Sequence, residues 1–166
     1  LAIDGKGTAW VVWSETAKDE TVNLKACSWE EKKGLGKPVT LADTDAAEAF
    51  AVAGADAKGR VWVSWQSFRA GEGDVYACFL DPKSGKWSKE IAVATHKGGD
   101  WAPSIAFDKK GNVWIAYDSS RGNEFNLNLA RVDENNHGVV KEFPIAHSPK
   151  YEARASITAT AEGDGF

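Results

Sequence analysis

Short runs of β-branched and aromatic residues, separated by clusters of Asp, Gly, Ser and Pro, fill the chain. No window carries apolar residues at the spacing of a helix face. The clearest set of predicted strands is Ala102–Phe107, Asn112–Asp118, Asn126–Val132 and Val140–Ala146. Between them lie a turn at Asp108–Gly111, a loop at Ser119–Glu124 and a turn at Asp133–Gly138. The same order precedes it as Ala49–Gly54, Arg60–Gln66, Asp74–Leu80 and Glu90–Ala94. Earlier still come Thr8–Ser14, Val22–Trp29 and Pro38–Ala42, behind a reduced first strand in Leu1–Ile3. Ala153–Ala159 reads as the first strand of a further unit, and Glu30–Lys33 as a charged turn.

These units repeat at 52 residues. Asp4-x-x-Gly7-x-x-Trp10, Asp56-x-x-Gly59-x-x-Trp62 and Asp108-x-x-Gly111-x-x-Trp114 stand in step, with Gly163 and Phe166 in register one period on. An Asp here can accept bonds from backbone N–H groups two or three residues ahead, and the Gly supplies the left-handed conformation that closes a hairpin. Val61–Trp65 and Val113–Tyr117 are bulky on both faces, and alternation sends Trp62 and Trp65 to opposite sides. Such strands belong to a sheet covered on both faces. Four-stranded sheets stacked about an axis satisfy this, so the expected fold is all-β, a β-propeller segment of four-stranded antiparallel blades. The expected blades are 1–43, 44–95 and 96–147, with a fourth starting at 148–166.

At Ser104–Gly122, and again at Asp56–Arg69, the sequence resembles the blade repeat of bacterial TolB-type (WD40-like) propellers and of sialidase-like propellers. The resemblance covers essentially the whole chain. It departs from the sialidase Asp box, Ser-x-Asp-x-Gly-x-Thr-Trp, because the turn is one residue longer and lacks the Thr; the WD40 dipeptide is also missing. It therefore implies the superfamily and its fold. Such blades serve receptors, lectins, peptidase gates and glycosidases alike.

A net charge of −4 with scattered Lys argues against a nucleic-acid partner, and no apolar run has the length of a membrane helix. Cys27 and Cys78 hold equivalent places in successive units, about 10 Å apart if the sheets pack face to face. That exceeds disulfide reach, so both are expected as free, mostly buried thiols. No Cys/His spacing suggests a metal, and no cofactor is expected. The absence of Met and the Leu1 start suggest a piece of a longer protein, expected to be bacterial; its location is left open, with a periplasmic or secreted one favoured. Three units do not close a ring. Either the chain is part of a larger propeller, or two copies associate head to tail, with Ala153–Ala159 entering the partner's first sheet where Leu1–Ile3 would compete.

Two rims follow from strand order. One carries the Asp56, Asp108 and Asp81 turns; the other carries the loops between second and third strands and the links between blades, and is the expected ligand face. There Glu48, Asp100 and Glu152 recur at 52 residues and would ring the channel mouth. They suit a cation or a ligand rich in hydroxyls or amines, or they cap backbone N–H groups; repetition in every unit favours the structural role. Arg69 and Arg121 recur likewise, each with an acid three residues on, Glu72 and Glu124, suggesting loop salt bridges. Trp101, beside Asp100, could stack a sugar ring or pack between blades. The arginine cluster that a sialidase-like enzyme requires is not available from five arginines scattered over both rims. His96, His137 and His147 form no nucleophile triad, and no Gly-x-Ser-x-Gly elbow is present. The expectation is a non-catalytic scaffold or binding module meeting a protein or glycan ligand at the second rim. Alternatives are a fragment of a sialidase-like glycosidase or peptidase-associated propeller, and a lectin.

Overall fold

The computed structural model describes residues 1–121, 124–133 and 138–160. Gly163, Phe166, His137 and most of the Asp133–Gly138 turn lie outside the described residues. The fold is an all-β propeller segment: three antiparallel sheets in chain order, with no helix among the described residues.

The first sheet holds β1 (Ala2–Ile3), β2 (Ala9–Thr16), β3 (Val22–Glu30), β4 (Gly34–Leu35) and β5 (Val39–Ala42). In the second are β6 (Glu48–Ala55), β7 (Val61–Ser67), β8 (Asp74–Asp81), β9 (Lys86–Trp87) and β10 (Ile91–Ala94). β11 (Asp100–Phe107), β12 (Val113–Arg121), β13 (Glu124–Asp133) and β14 (Gly138–Ala146) make the third. β4 and β5 both pair with β3, and β9 and β10 both pair with β8, so each couple is one interrupted fourth strand. All three sheets are thus four-strand meanders.

Two departures from the sequence reading fall in the third unit and in the expected start of the fourth. Ser119–Arg121 continues β12 rather than forming a loop, because Ser119, Ser120 and Arg121 pair with Asn126, Phe125 and Glu124. Ala153–Ala159 is not a ladder strand. Residues 153, 155, 157 and 159 are half-buried and those between are exposed, as in a strand lying on a surface. Its bonds run instead to the third sheet: Glu152 N to Phe125 O (3.1 Å) and Ile157 N to Ser104 Oγ (3.1 Å).

Alternation along β7 places the cores. Val61, Val63 and Trp65 enter the layer against the first sheet, with Leu24, Ala42 and Cys78. Trp62 enters the layer against the third, with Val75, Ile91, Val113, Ile115 and Tyr117. Every residue of β7 is buried. Cys27 and Cys78 pair with Val11 and Val63, equivalent positions, and both are buried free thiols. Burial pushes the Cys78 thiol far above its usual value.

Each Asp turn is closed by the same bonds. Asp4 Oδ1 accepts Lys6 N (2.8 Å) and Thr8 N (2.9 Å), and Oδ2 accepts the Trp10 indole N–H (3.2 Å). Asp56 takes Lys58 N, Arg60 N and Trp62 Nε1 at 2.9, 3.0 and 2.9 Å. Asp108 takes Lys110 N, Asn112 N and Trp114 Nε1 at 2.9, 2.8 and 3.2 Å. The donors lie two and four residues on, not two or three, and the motif tryptophan is itself a ligand of the turn.

Candidate functional site

The inner strands β6 and β11 are each kinked at one place. A bulge falls between Ala49 and Val52 and between Trp101 and Ser104, and the residue inside it has positive φ: Phe50 at 54° and Ala102 at 49°. Arg154, a further 52 residues on, has φ 63°. A non-glycine residue there is strained, of order 1–3 kcal/mol, and the kink turns its neighbours toward the blade-link rim.

What faces these kinks comes from the end of each second strand. Ser14, Gln66 and Asp118 are equivalent positions. Ser14 Oγ donates to Glu48 O (2.8 Å). Asp118 accepts Arg154 N at 2.8 and 2.9 Å on its two oxygens, and also Ala155 N. Burial pushes the Asp118 carboxyl above its ordinary value, against these bonds and the Arg154 charge.

Between them lies a cavity of about 290 Å³. Its polar wall is Gln66, Asp118 and Arg154, with Ala102 and Ala153 lining the gap. Its apolar wall is Phe50, Trp101, Phe125 and Tyr151. Trp101 and Phe125 stack with centroids 5.9 Å apart, and Phe125 meets Tyr151 at 5.1 Å. Trp101 is held from behind by Gly73, where an added Cβ would sit 2.3 Å from the indole nitrogen. Phe50 and Tyr151 remain 68% and 72% exposed. The arrangement offers a flat aromatic surface beside a buried hydrogen-bond acceptor, a combination suited to the apolar face and hydroxyls of a sugar.

Of the six residues singled out from sequence, only Trp101 lines this cavity. Glu48 is fully buried, and its carboxylate bonds within its own unit. Its donors are Thr44 Oγ1 (2.6 Å), Trp65 Nε1 (2.6 Å), Ser67 Oγ (3.0 Å) and Arg69 Nη2 (3.1 Å). Asp100, also fully buried, accepts His96 N at 2.8 Å with the His96 ring nitrogen at 3.2 Å. Glu152 accepts Ser148 Oγ (2.7 Å) and Ser148 N (3.3 Å). The three carboxylates therefore tie each blade link to its inner strand. No group of three or more His, Cys, Asp or Glu side chains suited to a metal occurs among the described residues.

The arginines find other partners than those expected. Arg69 bonds Glu90 (2.6 Å) and Glu48, and its guanidinium lies 4.2 Å from the Tyr76 ring centre. Arg121 bonds Glu142, equivalent to Glu90. Burial works against the charge of both arginines, and the carboxylate partners outweigh it, raising both above their usual value. Glu72 instead accepts Gly98 N at 2.6 Å. The acid in the fourth strand reaches the arginine because only the third strand separates them in the meander.

Asp118, Phe125, Tyr151, Phe50 and Arg154 escaped the sequence reading. Their shared signal is difference between repeats. At equivalent places the chain has Gln66 and Asp118, Gly73 and Phe125, Gly99 and Tyr151, Trp101 and Ala153, Ala102 and Arg154. The frame recurs while the cavity wall changes.

No family model matches the sequence, and no curated protein matches it. Solved structures share its fold. One is the intramolecular trans-sialidase from Ruminococcus gnavus in complex with oseltamivir carboxylate, at 13% identity and TM-score 0.55. The match covers 76% of this chain and 27% of that one, so the chain spans about a quarter of the trans-sialidase. Another is a fucose lectin from Kordia zhangzhouensis in complex with methyl-fucoside, at 14% identity and TM-score 0.51, covering 88% of this chain and 96% of that one. At these identities the likeness speaks for the β-fold alone. The TolB-type and WD40-like resemblance gains no support from these two proteins.

Proposed function

We propose that the chain is a non-catalytic carbohydrate-binding module whose ligand enters the cavity between Trp101, Phe125 and Asp118. The observation that carries this is the stacked Trp101–Phe125 pair opening beside a buried carboxylate whose backbone partners fix its position. The trans-sialidase and the lectin among its structural neighbours make a glycan the first ligand to test. A non-catalytic role fits the chemistry of the rim, where Arg69 and Arg121 are bound by Glu48, Glu90 and Glu142. A glycan array followed by calorimetry on the purified chain tests the reading. Binding should vanish in Trp101→Ala and Phe125→Ala variants that keep their near-UV circular dichroism. Unchanged binding in both would refute the assigned site.

A second reading concerns self-association. Trp13, on the face of the first sheet turned away from the second, is equivalent to Trp65, and Trp114, on the face of the third turned away from the second, to Trp62; Trp65 and Trp62 are fully buried between sheets. Head-to-tail contact between two copies would bring these two outer faces together. Light scattering that finds a strict monomer at high concentration refutes it.

A further inference from the structure

Resting on the glycan-binding reading, we infer that the cavity selects a neutral sugar ring and rejects an anionic one. The decisive group is Asp118. Its residue is 6% exposed, and its two oxygens are held by Arg154 N, with Ala155 N adding to the clamp. The carboxylate cannot swing aside to admit a like charge, and its remaining lone pairs only accept. A ligand must therefore bring O–H or N–H donors to it.

The positive side of the site is thin. Arg154 is the one cationic side chain among the cavity-lining residues, and it stands next to Asp118, so the wall carries one charge of each sign. The other arginines of this rim already hold carboxylates of the protein: Arg69 binds Glu48 and Glu90, and Arg121 binds Glu142. Recognition of a sugar carboxylate favours a pair of donors in a fork, which here would come from Arg154 alone, whose charge already acts on Asp118. Gln66, 5% exposed, adds a neutral amide able to donate and accept. The Trp101–Phe125–Tyr151 wall favours a C–H face. At about 290 Å³ the cavity lies at the small end of ligand pockets and suits one or two rings.

The test is calorimetry on the 166-residue chain. One set of probes is neutral monosaccharide glycosides, including methyl fucoside and methyl galactoside. The other is anionic, sialyllactose and methyl glucuronide. Neutral probes should bind at least tenfold more tightly than anionic ones. Asp118→Asn, which keeps the shape of the side chain, should weaken neutral binding and shrink that gap at least threefold. Anionic probes binding as tightly as neutral ones would overturn the selectivity while leaving the glycan-binding reading intact. A gap unmoved by Asp118→Asn, in a variant that keeps its near-UV circular dichroism, would overturn the role of Asp118. Failure of every probe of either set would sink both readings together.

Discussion

Asp56→Ala should cost far more stability than the same change at Asp4 or Asp108, although all three hold the same turn. The Asp56 side chain is fully buried and takes two backbone N–H groups, the Trp62 indole and the Arg60 guanidinium. Removing it takes away the ion pair that Arg60, whose side chain is 8% exposed, makes with Asp56. Breaking a buried ion pair by deleting one partner costs about 3–5 kcal/mol. The Trp62 N–H, in a ring with no exposure, also loses its acceptor, worth roughly 1–3 kcal/mol. These losses overlap, and Arg60 keeps its places 5.4 and 5.2 Å from the Trp62 and Phe79 ring centres. The expected total is about 4–5 kcal/mol. At Asp4 and Asp108 the position of Arg60 is held by Thr8 and Asn112, and the freed backbone groups can turn to water, so about 1–2 kcal/mol is expected. Urea unfolding of the three variants reads the difference. In a chain of this size it also appears as a melting shift of roughly 2–4 °C per kcal/mol. Equal losses at the three turns, or a loss at Asp56 below about 1.5 kcal/mol, would show that the buried Arg60 pair adds nothing to the turn.

Arg69→Ala should destabilise by about 3 kcal/mol, because Glu48 is left buried without a cation, whereas Arg121→Ala, whose pair with Glu142 is more exposed, should cost under about 1 kcal/mol; denaturant midpoints of both variants check the contrast. At Asp108 burial opposes ionisation, but bonds from Asn112, Trp114 and Lys110 outweigh it and hold the carboxyl below its ordinary 3.8. Its contribution is present above the unfolded value and lost as pH falls through the lower folded one. Asp118 has the opposite sign: its raised folded value gives a contribution present below the unfolded value and lost as pH rises through the folded one. Stability measured from pH 3 to 7 should therefore lose part of its acid limb in Asp108→Asn and part of its decline toward neutrality in Asp118→Asn. Gly59→Ala should cost about 2 kcal/mol more than Gly7→Ala. Both have positive φ, but an added Cβ at Gly59 would sit 2.8 Å from Gly5 Cα, while at Gly7 it meets nothing within 4 Å; thermal melts of the two variants report the close approach of neighbouring turns.

The architecture was legible in the sequence because each unit carries its own closure. Asp, Gly and Trp at fixed offsets mark one hairpin, and alternation in Val61–Trp65 marks a sheet covered twice. The ion pairs were not legible, because pairing follows the meander and not the chain. Arg69 and Glu90 are 21 residues apart yet adjacent across β8, while Glu72, three residues away, points to the next blade link. The repeating carboxylates drew attention through their regularity, and regularity marks the frame. Trp101 was found because an indole beside an acid is conspicuous. Phe125 and Asp118 were not, since a phenylalanine and an aspartate in a strand look like ordinary β residues until set against Gly73 and Gln66.

The left-handed kink shared by Phe50, Ala102 and Arg154 bears on how such a module diversifies. At Phe50 and Ala102 the bend sits in a two-against-one bulge, Arg154 takes the same left-handed φ outside any ladder, and three unrelated side chains thus already tolerate it. A gene that duplicates this unit thus inherits a ready-made display position, free to vary in size and charge while the ladder behind it stays put. Recombining residues 50, 102 and 154 with their facing partners Ser14, Gln66 and Asp118 would give a compact library of specificities on one unchanged scaffold.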